Sequence, residues 1–327
     1  MSKPNIYVTR MLTDELITAL KQSYEVEVNP HDRPLTRSEL LEAVRGRDGV
    51  VCLLTDRIDG EVYDAAGKQC KIFATYGVGF NHMDVPAATE RGVLLSNTPD
   101  AVTDATADMA WALLLAVARR IVEGDQFNRT KEFTGWSPMF MLGMHVSGKT
   151  VGIIGPGRIG VAFAKRGAGF NMKILYTGNS RKPEFEQETG GQFVDMETLL
   201  AQSDFVSLHV PLTEKTHHLI GEKELKLMKK TAILINTARG PVVDEKALVE
   251  ALKSGEIWGA GLDVFEREPL LEPGLADLQN AVIPPHLGTS TLDTRLNMGR
   301  MVLENVQAAM EGRRPPNCLN WEGVKSN

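Results

Sequence analysis

Short β-branched runs alternate with helix-length amphipathic stretches along both halves of this chain. In the first half, residues 6–9, 25–28, 49–54, 71–75 and 93–96 predict strands, and the stretches between them, 13–22, 36–45 and 84–91, predict helices. A long helical pattern over 106–127 follows. The strand pattern then restarts at 150–154 and continues at 172–176, 205–208, 232–236, 259–264 and 281–283. Strands alternating with helices imply βαβ units and parallel sheets, so the chain predicts two doubly wound α/β units. A last helical stretch, 291–311, follows the final strand and is placed to carry the chain back to the first unit. The expected architecture is therefore a central domain inserted into a split outer domain, with the active site in the cleft between them.

Composition narrows this only modestly. A chain of 327 residues with 43% hydrophobic and 24% charged content suits two ordinary globular domains. A net charge of −6 argues against a nucleic-acid surface and leaves any anionic ligand to local Arg and Lys pockets. Cys52, Cys70 and Cys318 are too few and too scattered for a disulfide framework or a zinc knuckle. No secretory stretch opens the chain, and the greasiest run, 109–118, is too short to span a bilayer and ends at Arg119 and Arg120. The expectation is a cytoplasmic protein with no membrane contact.

The most specific motif is KTVGIIGPGRIG, residues 149–160. A short apolar strand runs into a Gly-x-Gly-x-x-Gly turn that opens a helix, the arrangement that binds a dinucleotide pyrophosphate. Gly155 permits the tight turn, Gly157 keeps side chains away from the phosphates, and Gly160 lets helix and strand pack closely. The amides around Arg158 and Ile159 then face the anion. About 20 residues beyond such a turn, an NAD-binding fold carries Asp or Glu to accept the ribose 2′-hydroxyl. Here Gly178, Asn179, Ser180, Arg181 and Lys182 occupy that region, with no carboxylate before Glu184. NADP(H) is therefore the expected preference, with NAD(H) possible if Arg181 and Lys182 form only a solvated turn.

Two further regions stand out. Residues 131–148, KEFTGWSPMFMLGMHVSG, form an irregular stretch rich in Trp, Phe and Met. A loop that apolar points to a homodimer arm, spanning about 125–148, in which Trp136 or Phe140 approaches the partner's substrate pocket; intrachain packing is the alternative. The second region is a trio of polar residues, Arg239 in INTARGPVVDE, Glu268 in LDVFEREP and His286 in IPPHLGTST. Alone, each is more often structural than catalytic. Together they match what hydride transfer to a 2-keto acid requires: a cation for the carboxylate, a proton donor for the new alkoxide, and a group that keeps the donor protonated. His217 and His218, with His209, suggest a metal, but no carboxylate or cysteine cluster accompanies them in sequence, and none is expected.

These segments resemble the D-isomer-specific 2-hydroxyacid dehydrogenase family, nearest to its glyoxylate/hydroxypyruvate reductase branch. The resemblance runs through TYGVGFNHMD (75–84), NTPDAVTDATADMAWALLLAVARR (97–120), the glycine turn, SDFVSLHVPLTEKTHHLIGEKEL (203–225) and the Arg, Glu and His segments. It implies a Rossmann domain, residues 100–287, inserted into a flavodoxin-like substrate domain, residues 1–99 and 288–327. It implies that Arg239 binds the substrate carboxylate, Glu268 orients His286, and His286 donates the proton. It also implies substrate contacts at Leu54 and at the Val78 and Gly79 amides. Cofactor contacts are implied at Pro211, Thr237, Ala238, Arg239, Asp263, His286, Leu287 and Gly288, with Asp263 near the nicotinamide.

Departures from the family's other branches shape the expectation. Tyr76 stands where D-lactate dehydrogenases tend to carry Arg, and Glu268 stands where formate dehydrogenases carry an amide. The expected activity is NADPH-preferring reduction of glyoxylate, and of hydroxypyruvate, to the 2-hydroxy acid. A 2-ketogluconate-type reductase is the nearest alternative. A dinucleotide-sensing corepressor of the C-terminal-binding-protein type is another, although those proteins carry a long disordered tail and this sequence ends at Asn327 after a short polar stretch.

Overall fold

The computed structural model describes residues 3–326. It divides into two compact units, one formed by residues 1–102 and 290–327 and the other by residues 103–289. Both are three-layered α/β structures around a wholly parallel sheet.

In the first unit, β1 (Asn5–Val8), α1 (Asp14–Ser23), β2 (Glu25–Val28), α2 (Arg37–Ala43), β3 (Gly49–Cys52), α3 (Gly60–Ala66), β4 (Ile72–Thr75), α4 (Val85–Glu90) and β5 (Leu94–Ser96) follow in order. The sheet order is β2-β1-β3-β4-β5. Helix starts carry their own signals: Thr36 and Glu39 form a capping box on α2, and Asp59 and Asp84 cap α3 and α4. The pleat sorts the strand side chains, so Val51 and Ala74 face one layer and Val50, Cys52 and Phe73 the other. One of those layers is completed from the far end of the chain, where Met298, Val302 and Val306 pack with Leu16 and Leu20 of α1.

The second unit begins with α5 (Thr103–Ala118) and α6 (Ile121–Arg129). It continues through β6 (Thr150–Ile154), α7 (Arg158–Ala168), β7 (Lys173–Thr177), α8 (Pro183–Thr189), β8 (Gln192–Phe193), α9 (Met196–Gln202), β9 (Phe205–Leu208) and α10 (Glu222–Leu227). β10 (Ile233–Asn236), α11 (Glu245–Ser254), β11 (Gly259–Leu262) and β12 (Ala281–Val282) complete it. α12 (Leu292–Met310) and α13 (Trp321–Ser326) then belong to the first unit. The sheet order β12-β11-β10-β9-β6-β7-β8 reverses direction between β6 and β9. In such sheets the crevice at that switch point, beyond the strand carboxyl ends, is where ligands bind. Val151, Ile153, Ile233 and Ile235 face α5 and α7, whereas Ile154, Leu208 and Leu234 face the opposite core. Fully buried side chains such as Phe163 and Phe205 are each worth about 1.5–3 kcal/mol of burial.

One sequence expectation needs correction, and some elements go beyond the sequence pattern. The helix expected over 106–127 is two helices, because Arg120 sits at φ +54° and the Ala118 carbonyl accepts the Met144 amide at 2.7 Å instead of continuing the helix. The short edge strand β8 and the helix α3 carry too weak a pattern to be read from sequence. The short polar end of the chain forms α13. No described helix is long and apolar enough to cross a membrane.

Candidate active site

The glycine turn follows β6 directly, and its three glycines meet three different constraints. Gly155 lies at φ +103°, and a Cβ there would meet the His209 carbonyl oxygen at 2.6 Å. Gly160 tolerates no Cβ either, because the Gly155 oxygen would lie 2.3 Å away. Gly157, the N-cap of α7, has open space where a Cβ would stand and no side chain to cap the helix. That leaves the helix end, with Arg158 and Ile159 in its first turn, approachable by an anion. Beside the turn, a Cβ on Gly178 would meet Pro156 at 2.8 Å, so the end of β7 packs against the glycine loop.

The segment after Gly178 holds an arrangement that sequence reasoning missed. Arg181 is not simply a solvated cation. Its Nε and Nη2 donate to Oε1 and Oε2 of Glu186 at 2.8 and 2.7 Å, and the Tyr176 hydroxyl donates to Glu186 Oε1 at 2.9 Å. The hydrogen bonds from Arg181 hold the Glu186 carboxyl below the usual carboxylate range. The Arg181 side chain remains 68% exposed. Only the first turn of α8 brings Glu186 back over the strand end, so the pairing has no local sequence signature. Asn179 and Ser180 are exposed beside it.

Arg239 is set by the turn after β10. The Asn236 side chain accepts the Ala238 amide at 3.0 Å and donates to the Arg239 carbonyl at 2.9 Å, shaping the loop. At Gly240 a Cβ would fall 1.9 Å from the Phe265 carbonyl, so this turn lies backbone to backbone against the segment that leads to Glu268. Arg239 is half-buried; burial pulls its pKa down and the charge of Glu268 opposes the shift. The guanidinium stays protonated. Thr237 is buried, and its Oγ1 has no hydrogen-bond partner among the described residues. Such an orphan fits a site that a ligand completes.

Glu268 accepts the Phe265 amide on Oε1 at 2.9 Å and contacts His286 Nδ1 through Oε2 at 2.9 Å. Burial pushes the Glu268 carboxyl up, but the His286 hydrogen bond and charge, the Phe265 amide and Arg239 together hold it below the ordinary range. It is therefore an anion beside the imidazole. His286 lies at φ +54°, a conformation held from behind by Asp263, whose two carboxylate oxygens accept the Leu287 and Gly288 amides, both at 2.7 Å. Asp263 is buried, which raises its pKa despite those two amides. The second unit thus brings together Arg239, Glu268, Asp263 and His286. Pro211 and Ala238 lie in the loops after β9 and β10, at the same carboxyl end of the sheet.

Leu54, Val78 and Gly79 belong to the first unit, after β3 and β4. The Val78 carbonyl accepts from the Asn97 side chain at 2.8 Å, and the Gly77 carbonyl accepts the Thr98 amide at 2.9 Å, which anchors that turn. Leu54 is exposed. His209 is held near Ser207 and Phe163, away from His217 and His218.

Comparison with known proteins agrees with this geometry. Residues 111–288 match the D-isomer specific 2-hydroxyacid dehydrogenase, NAD binding domain. The chain is 51% identical to a glyoxylate reductase of Thermococcus litoralis over 99% of both sequences. Among solved structures it resembles a protein of Thermus thermophilus (TM-score 0.90, 45% identity, 96% of this chain and 99% of that one). It also resembles the NADPH-dependent glyoxylate/hydroxypyruvate reductase of Sinorhizobium meliloti, solved with NADP and malonate (TM-score 0.83, 29% identity, 97% of both chains). With a glycine turn, a switch-point crevice and near-complete coverage by such relatives, this chain belongs to the D-isomer specific 2-hydroxyacid dehydrogenase family.

Proposed function

We propose that this protein reduces glyoxylate, and hydroxypyruvate, to the corresponding 2-hydroxy acid, with NADP(H) preferred over NAD(H). The observation that carries the reaction class is the ionised Glu268 held against His286 in the same unit as Arg239 and the glycine turn. Identity of about half the residues to glyoxylate reductases over the whole chain supports the substrate. Relatives of that name favour the enzyme over a corepressor.

When bound, the nicotinamide supplies the hydride. Arg239 holds the substrate carboxylate and polarises the ketone with a charge that is already half-desolvated, which strengthens it. His286 gives its proton to the oxygen that becomes the hydroxyl. Glu268 fixes the ring through Nδ1, leaving Nε2 as the donating atom. Asp263 positions the loop that carries His286. Backbone amides at Val78 and Gly79, and the side chain of Leu54, take the part in substrate binding that the family resemblance implies.

The cofactor preference rests on the end of β7. None of Gly178, Asn179, Ser180 or Arg181 is a carboxylate, the Glu186 charge beside them is countered by its bidentate pairing with Arg181, and a relative named as NADPH-dependent shares the fold. The apolar segment after α6 is proposed to dimerise: Trp136 is 85% and Met139 75% exposed, more than an isolated surface tolerates comfortably. The deciding experiment offers glyoxylate, hydroxypyruvate, pyruvate and 2-ketogluconate in turn, with NADPH and then NADH, and follows the loss of reduced-cofactor absorbance. Glyoxylate with NADPH should give the highest kcat/KM. A clear preference for 2-ketogluconate would replace this assignment, and equal use of both cofactors would remove the preference.

A further inference from the structure

The loop between β9 and α10 carries adjacent histidines that the reaction does not use. In sequence they lack a carboxylate, but the fold supplies one: Glu266 Oε1 lies 2.9 Å from His218 Nε2, although 48 residues separate them. Adjacent residues of an extended chain point to opposite sides. His218, at φ +49°, turns the backbone so that both rings lie together, with centroids 4.0 Å apart and planes 29° apart. One donor atom from each of His217, His218 and Glu266 falls within 4.8 Å of the others.

We propose that His217, His218 and Glu266 form a binding site for a borderline divalent cation of the Zn²⁺ class, with water completing the coordination. Two imidazoles and one carboxylate are a donor set that such ions favour over Mg²⁺ or Ca²⁺, which take oxygen ligands. Donors around a tetrahedral zinc stand about 3.3 Å apart, given bonds of about 2.0 Å. Closing the site therefore needs only a small movement of the exposed His217 side chain, with His218 and Glu266 separating slightly as the ion replaces their hydrogen bond.

The surroundings hold the ligands ready. Glu266 Oε2 accepts the Glu245 amide at 3.3 Å, which leaves Oε1 to face His218. The His218 amide donates to the Pro241 carbonyl at 2.8 Å, and the His217 amide donates to the Thr213 carbonyl at 2.9 Å, so both backbones are fixed. Asp244 Oδ2 lies 4.0 Å from the other nitrogen of the His218 ring, beyond hydrogen-bond distance but on the side from which a carboxylate would orient a metal-bound histidine after a shift of about 1 Å. Occupation would tie the 213–218 loop to the segment that runs into Glu268.

The test is isothermal titration of Zn²⁺ into the full-length protein, freed of any polyhistidine tag and stripped with chelator, alongside Mg²⁺. One Zn²⁺ per chain should bind, with no heat from Mg²⁺ and a rise in melting temperature. His217→Ala, which alters only an exposed side chain, should weaken binding at least tenfold, and Glu266→Gln should do the same. His286→Asn should leave binding unchanged, which separates this site from the His286–Glu268 pair. Absence of Zn²⁺ binding in the parent protein, parental affinity in His217→Ala, or loss of the ion in His286→Asn would each overturn the proposal.

Discussion

Nδ1 of His286 lies 2.9 Å from Oε2 of Glu268, and the Phe265 amide occupies the other oxygen of the same carboxylate. The ring is thereby oriented through Nδ1, and its second nitrogen is the one proposed to meet a substrate oxygen. Because Glu268 is held below the ordinary carboxylate range, its charge is present at neutral pH and is lost only as the pH falls through that lowered value. Reduction should therefore keep its dependence on the Glu268 charge until the pH falls below the ordinary carboxylate range. Glu268→Gln removes the anion while keeping shape, so reduction should slow and should lose the acid-side dependence that the Glu268 charge gives the parent. Rate against pH for the two proteins decides this; a parental rate and acid side in Glu268→Gln would show that the Glu268 charge does not serve the reaction.

Arg239→Ala should abolish useful turnover and leave dinucleotide affinity nearly intact, since the guanidinium is proposed to touch the keto acid. Losing a charge-assisted bidentate contact should cost about a hundredfold or more in kcat/KM. Cofactor binding followed by fluorescence, beside steady-state rates, separates the two effects. Near-parental glyoxylate reduction would remove Arg239 from the site.

Arg181→Ala should raise the KM for NADPH about tenfold, the worth of one charged hydrogen bond, and barely alter that for NADH. The bidentate grip of Glu186 engages Nε and Nη2 and leaves Nη1 for a phosphate oxygen. Equal changes for both cofactors would assign Arg181 to the fold or to the shared pyrophosphate.

His209 is half-buried, and desolvation pulls its pKa down to about 3. A base depressed on folding stabilises the native state above its unfolded value and loses that contribution as the pH falls towards the folded one. Between pH 6.5 and 3 this group should add up to about 1.4 kcal/mol of destabilisation per pH unit. His209→Asn should be less stable at pH 7 yet show a shallower fall in urea midpoint from pH 7 to pH 5. Parallel falls would place the acid sensitivity elsewhere.

The apolar arm offers a test of assembly. Replacing Trp136 and Met139 together by Ser should shift the sedimenting species from dimer towards monomer at micromolar concentration without changing the circular dichroism. A parent protein that already sediments as a monomer would refute the arm's role.

Periodicity alone marks nearly every strand of both sheets, because a strand buried on both faces is a short run with few charged residues, often β-branched, whose boundaries are written in local residues. The glycine turn is legible for a related reason: its spacing is local, and Gly160 must stay bare because the Gly155 oxygen, five residues back, lies against it. Arg239, Glu268 and His286 are legible as a set only through their chemistry and the family likeness. What tertiary structure alone decides are the pairings across long separations. Ala118 ends its helix because Met144 returns to take its carbonyl, Asp263 reaches 25 residues on to hold the Gly288 amide, and His218 meets Glu266 across 48. Those contacts depend on where separate strand ends converge, and no local pattern of hydrophobic and polar residues encodes that convergence.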